Sequence, residues 1–193
     1  MKNIETLLHT LNSIISLSEE EQIKIKNLFK EQQLKKNEFF LQDSEKSSKI
    51  AFLGKGLVRY FVIRNGEEST FEFSKENEFI GDYGSFILRK TTNQYIQALE
   101  DCELLTIDYD DLQTIYNEFL NGNLLGRILI EHRFTIMVEN LVFVYKFTPE
   151  EKYQFFIKFY KDIIQRVPQY LIASYIGVKP QSLSRIRKRI LKN

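Results

Sequence analysis

From Val178 to Asn193 the chain reads VKPQSLSRIRKRILKN, with six of its 27 Lys and Arg side chains and none of its 26 Asp and Glu. The types and spacing suit one kind of chemistry. Set on a helix opened by Pro180, Gln181 and Arg185 lie one turn apart, as do Arg185 and Arg189. Ser182, Lys188 and Lys192 fall on the same outward side, and Leu183, Ile186 and Ile190 on the other. An arginine fork matches the major-groove edge of guanine, and a carboxamide matches adenine. Gln181, Ser182 and Arg185 are therefore candidate base readers, with Lys179, Ser184, Lys188 and Arg189 as candidate phosphate contacts. A solvated amphipathic face is the plainer explanation of such a pattern. The residues that must hold the helix in place argue for the sharper one.

Just upstream, PQYLIASYI opens at Pro168 and stops at Gly177. Helix, glycine turn, helix is the helix-turn-helix pattern. Two steeply crossing helices need a small residue at their approach, and Ala173 sits four before Gly177. Ile172, Ile176, Val178, Leu183 and Ile186 occupy the positions that fill the wedge. Lys179 lacks a short oxygen acceptor for an N-cap, while Pro180 suits the first helical position. The formal charge of the whole chain is only +1, so an acidic body is joined to a basic end. That asymmetry favours a polyanion at the end.

Other chemistries find no residues to carry them. A single cysteine, Cys102, excludes an intrachain disulfide framework and a thiolate zinc cluster. Asp101 and Glu103 flank it between two expected strands and discourage a thiolate. His9 and His132 are the only histidines. There is no nucleophile–base–acid set and no glycine-rich phosphate loop ending in Lys-Ser or Lys-Thr. The chain is not expected to be an enzyme. It shows no signal peptide and no apolar run of membrane-spanning length, so a soluble cytoplasmic protein without a membrane partner is expected.

The body divides by hydrophobic period. Residues 1–15 read as a short amphipathic helix or an ordered arm. Ser18 and Glu21 form a capping-box pattern that predicts a helix over 18–33. From Asn37 short apolar stretches alternate with turns, and Asn65-Gly66 is a hairpin signal. Phe71 and Phe73 alternate with polar neighbours, and two strands are expected near 94–100 and 103–108. Six to eight short antiparallel strands should close as a sandwich or roll. YDDLQTIYNEF predicts a brief helix, broken near Asn121–Asn123. A long helix over 123–147 follows, with Ile130, Phe134, Met137, Leu141 and Val144 at helical spacing. Leu125, Ile128, Leu129 and Ile136 form a second stripe. One stripe faces the β unit, and the other is a candidate dimer seam. Thr148-Pro149 restarts the chain as a helix expected to reach Gln165.

This layout resembles the Crp/Fnr family of bacterial transcription regulators. GKGLVRYFVIRNGEE and FSKENEFIGDYGSF resemble the hairpins and ligand cassette of its β-roll. QRVPQYLIASYIGVKPQSLSRIRKRI is similar to the short Bacteroidetes-type members. The resemblance implies an α+β fold: an N-terminal antiparallel β-roll (cyclic-nucleotide-binding-like), a long dimerisation helix, and a C-terminal helix-turn-helix. The expected divisions are 1–120, with N-terminal helices and roll, 121–147 and 148–193. The chain stops at Asn193, so a C-terminal wing after the recognition helix is not expected. Double-stranded DNA and a second copy of the chain are the implied partners, with room left for RNA polymerase. An unidentified small-molecule effector in the roll is also left open.

The departures from the family pattern matter. Short members place threonine-proline-glutamate where this chain has Lys179-Pro180-Gln181, and the wider family has arginine and glutamate at Pro180 and Gln181. Only Arg185 is retained. Cyclic-nucleotide binders carry glycine-glutamate where this chain has Gly81-Asp82. They carry an arginine and a small residue where it has KTTNQYIQ. Thr91, Thr92, Asn93 and Gln94 supply no guanidinium for a phosphate. Arg89 and Lys90 lie close by in sequence. Gly81, Asp82, Arg89, Lys90, Thr92 and Asn93 are thus the effector-site candidates, with cyclic AMP or GMP disfavoured. An iron–sulfur cluster lacks its cysteines, and His132 is a weak haem ligand, so no cofactor is expected. The competing reading is a ligand-sensing or protein-interaction module whose helix-turn-helix is degenerate.

Overall fold

The structure is a computed structural model that describes residues 2–190. Lys192 of the outward basic face lies outside the described residues. The fold is α+β, with two antiparallel β-sheets, a long helix and a C-terminal helix-turn-helix.

Helix α1 (Lys2–Asn12) buries Leu7, Leu8 and Leu11 along one face. Helix α2 (Glu19–Leu28) starts at the expected capping box. The Glu21 amide donates to Ser18 Oγ at 3.2 Å, and the Ser18 amide donates back to Glu21 Oε2 at 2.8 Å. Such a cap is worth about 1 kcal/mol. The helix does not reach residue 33. Phe29 turns extended, with φ −81° and ψ 135°, and strand β1 (Lys30–Leu34) follows. Glu31, Gln32 and Gln33 favour helix locally. Pairing of the whole segment, from Lys30 opposite Thr106 to Leu34 opposite Cys102, overrides that preference.

The remaining strands are β2 (Phe39–Leu41), β3 (Lys49–Lys55), β4 (Val58–Arg64), β5 (Glu67–Ser74), β6 (Glu78–Ile80), β7 (Tyr95–Ala98) and β8 (Cys102–Asp108). One sheet runs β1-β8-β3-β6 and the other β2-β7-β4-β5. The β4–β5 turn is Asn65-Gly66, as expected, with φ of 53° and 79°. Two consecutive positive φ values define the turn whose twist matches antiparallel strands. Side chains of the first sheet alternate between two cores. Ala51, Leu53, Cys102 and Leu104 join Val58, Tyr60, Ile96 and Ala98 in one. Phe52, Leu105 and Ile107 join α1, α2 and the helix after β8 in the other.

Cys102 opens β8 instead of lying between strands, and it is buried. Burial is the main reason its thiol pKa rises to about 11, and Glu100, Glu76 and Asp101 add to it. Glu103, expected to contribute, instead accepts from Asn3.

Helix α4 (Tyr109–Glu118) is capped by Asp108, whose carboxylate accepts the Asp111 amide. Helix α5 (Gly122–Lys146) then begins where the break was expected. A β-carbon at Gly122 would sit 2.0 Å from the Ile115 carbonyl oxygen, so only glycine lets the two helices join this tightly. Helix α6 (Pro149–Phe159) has the expected Thr148 cap, a full capping box with Glu151. It ends at Phe159 rather than Gln165, because Tyr160 leaves helical geometry at φ −107°, ψ 30°. The following turns bury Ile163 and Val167 instead. Helices α7 (Gln169–Ile176) and α8 (Pro180–Ile190) complete the chain.

Two compact units result. The first comprises the chain to Tyr60 together with Phe73–Arg133, and the second comprises Phe61–Glu72 together with the chain from Phe134. Among the described residues no helix is long and apolar enough to cross a membrane.

Candidate nucleic-acid interface

Helices α7 and α8 meet through Gly177, held at φ 78°. The Val178 amide donates to the Ala173 carbonyl at 2.9 Å, and the Gly177 amide to the Ser174 carbonyl at 3.0 Å. This pair of bonds closes the helix end in a Schellman turn. Ala173 is fully buried, as the close approach requires. Leu171, Ile172, Ile176, Leu183 and Ile186 are buried around it, while Val178 and Ile190 are half-buried. Helix α6 supplies the floor through Tyr153 and Phe156. The Phe156 ring lies 4.9 Å from Tyr160 and 5.5 Å from Tyr175. Burial pushes the Tyr175 hydroxyl up to a pKa of about 12.

The inward set leaves Gln181, Ser184, Arg185, Lys188 and Arg189 exposed, and Ser182 half-buried. At the start of α8 the Ser182 and Leu183 amides donate to the Lys179 carbonyl. The side chain of Lys179 reaches Glu67 on β5, with Nζ 2.7 Å from Oε1. Arg189 pairs with Glu150 at the start of α6, at 2.8 Å. Arg187 donates to Gln169 at 2.9 Å and braces α8 against α7. Lys179 holds the Glu67 carboxyl below the usual carboxylate range.

Ser174 of α7 also bonds to the hairpin. Its hydroxyl donates to the Glu68 carbonyl at 3.0 Å and accepts the Thr70 amide at 2.9 Å. Sequence reasoning found neither Ser174 nor the anions Glu67 and Glu150. Lys179 and Glu67 are 112 positions apart, and nothing local marks the pairing.

The effector-site candidates lie in the first unit, around helix α3 (Tyr83–Ile87). Asp82 caps it, accepting the Ser85 amide at Oδ1 (3.0 Å) and the Thr92 hydroxyl at Oδ2 (2.8 Å). Burial raises the Asp82 pKa, but hydrogen bonds from Ser85, Thr92 and Gln94 outweigh it and leave the carboxyl below its ordinary value. Gly81, at φ 148°, donates its amide to the Tyr60 hydroxyl at 3.3 Å. Arg89 lies elsewhere: its guanidinium bonds to Asp110 and sits 4.1 Å over the Tyr109 ring. Lys90 and Asn93 are exposed. These groups do not fit a cyclic phosphate. The Asp82 oxygens accept from the chain itself, and the Arg89 guanidinium is committed to a carboxylate and a ring.

On α5, Ile130, Phe134, Met137, Leu141 and Val144 form an exposed apolar row; Phe134 is 59% and Leu141 58% exposed. Spacings of four and three alternate along it, as in a coiled-coil seam.

Residues 31–119 match the cyclic nucleotide-binding domain family. No curated relative matches the sequence. Solved structures match the layout over most of its length. FixK2 from Bradyrhizobium japonicum gives a TM-score of 0.70 at 11% identity, with 85% of each chain covered. The c-di-GMP responsive global regulator CLP of Xanthomonas campestris gives 0.67 at 14% identity, covering 88% of this chain and 90% of that one. The catabolite activator protein of Thermus thermophilus gives 0.58 at 16% identity, covering 95% and 87%. Residues 31–119 are thus similar to a cyclic nucleotide-binding domain, and the chain shares the fold of these Crp/Fnr-type regulators.

Proposed function

We propose that this chain is a sequence-specific transcription regulator that binds double-stranded DNA as a homodimer. The observation that carries the reading is the outward face of α8, with Gln181, Arg185 and Lys188 exposed on a helix fixed by the Gly177 turn and the buried Ala173. A helix so presented suits a major groove, with its N-terminal half toward base edges. Gln181, Ser182 and Arg185 read bases; Lys179, Ser184, Lys188 and Arg189 hold phosphates. The likeness in fold to a global regulator of gene expression and a catabolite activator supports it.

The α5 row from Ile130 to Val144 is the seam that pairs two copies and spaces two reading helices along one side of the duplex. In functional terms the chain divides into roll (1–120), dimerisation helix (121–147) and DNA-binding segment (148–193). It works in the cytoplasm, with RNA polymerase as a further partner, and it is not an enzyme. An effector, where one acts, meets Gly81, Asp82, Lys90, Thr92 and Asn93, while Arg89 is held away by Asp110. A cyclic phosphate is disfavoured there, because Asp110 and the Tyr109 ring hold the Arg89 guanidinium.

Selection of bound duplexes from random-sequence DNA tests the reading. A palindromic consensus is expected, and Arg185→Ala should weaken binding to it. A protein that shows no salt-dependent duplex binding would instead be an interaction module with a degenerate helix-turn-helix.

A further inference from the structure

In the second unit, an anion sits where DNA is expected to act. The Ser174 hydroxyl bonds to the Glu68 carbonyl and the Thr70 amide, supplying the donor and acceptor that a neighbouring strand would offer β5. Two bonds from one hydroxyl fix the start of β5 against α7. That seat places Glu67 against the first residue ahead of α8, with its Oε1 2.7 Å from Lys179 Nζ. A carboxylate oxygen at that distance has the charge and acceptor geometry of a phosphate oxygen.

We propose that Glu67 sets DNA affinity by standing in for a backbone phosphate, so that Lys179 must leave it before α8 settles in the groove. The proposal rests on the DNA-reading role of α8. The competition is modest by construction. Both side chains are more than two-thirds exposed, and such pairs are individually weak and screened by salt. The duplex, with its dense row of phosphates, displaces Glu67 readily. The cost appears in affinity as a few-fold handicap, and it leaves Arg185 and Lys188 untouched. Glu150 occupies Arg189 in the same manner at the other end of the helix.

The test is fluorescence anisotropy with a labelled mixed-sequence duplex spanning two successive major grooves, titrated over a range of salt. Glu67→Gln keeps the shape and removes the charge. It should tighten binding by about two- to fivefold at low salt. The slope of log K against log salt should steepen by about one. In a Lys179→Met background the same substitution should change nothing. Ser174→Ala loosens the seat without altering any charge, and it should also tighten binding. The mask is overturned if wild type binds the duplex and Glu67→Gln leaves affinity and slope unchanged. It is equally overturned if the gain persists without Lys179, which would mark a general charge effect. Absence of duplex binding in wild type and all variants overturns the DNA reading itself. Thermal unfolding of each variant verifies that the fold is intact.

Discussion

Arg185 is the residue on which the base-reading assignment turns, because it is exposed at mid-face on α8 and is the one reading-end residue that the family resemblance retains. Replacing it with alanine should lower affinity for the selected site by about tenfold to a hundredfold and relax preference at one base position. Lys188→Ala should weaken all duplexes alike and reduce the salt slope by about one. Paired binding curves on specific and mixed DNA separate the two roles. Cys102 makes a contrary prediction. A buried thiol with a pKa near 11 is almost wholly protonated at neutral pH. The native protein should resist iodoacetamide for as long as it stays folded, and mass spectrometry reads the adduct. Asp82 sets an acid limit. Its folded pKa is depressed, so its contribution to stability is present above the ordinary carboxylate range and is lost as pH falls through the folded value. Denaturant unfolding below about pH 4 should show this loss, and Asp82→Asn should flatten it. At this scale the outward and inward residues of α8 were legible because a helix repeats every 3.6 residues. Ser174 and Glu67 were not, because their bonds join segments about a hundred residues apart in sequence.

The elements divide along the same line. The capping box at Ser18, the N-cap at Thr148, the Asn65-Gly66 turn and the Gly177 stop all rest on contacts within a few residues, and each stands where the sequence places it. Two helix ends did not. Strand β1 took residues from the expected second helix because β8 offered a complete ladder, and α6 yielded at Tyr160 so that Ile163 and Val167 could be buried. In both cases distant burial outweighed local propensity. The Gly177 turn is the element most sensitive to a single atom. Gly177→Ala should cost about 1–2 kcal/mol, because a β-carbon is disfavoured at φ 78° even though open space surrounds it. Calorimetry measures the cost. On α5, Leu141→Glu places a charge in the middle of the apolar row. Sedimentation should then show a shift from dimer to monomer, with the monomer retaining its circular dichroism.

Across the whole molecule, charge and topology separate differently. The described cations of the final stretch, Lys179 to Arg189, lie in one unit, but that unit is not one stretch of chain. Phe61–Glu72 belongs to it, although the residues on either side belong to the other. During synthesis the Thr70 amide leaves the ribosome 104 residues ahead of the hydroxyl that will accept its bond. A gene fragment starting at Phe134 would express α7 and α8 without the hairpin, and it would lack Glu67, the carboxylate that pairs with Lys179. On the proposed DNA-binding role, this fragment should be a less stable but less restrained binder than the full chain.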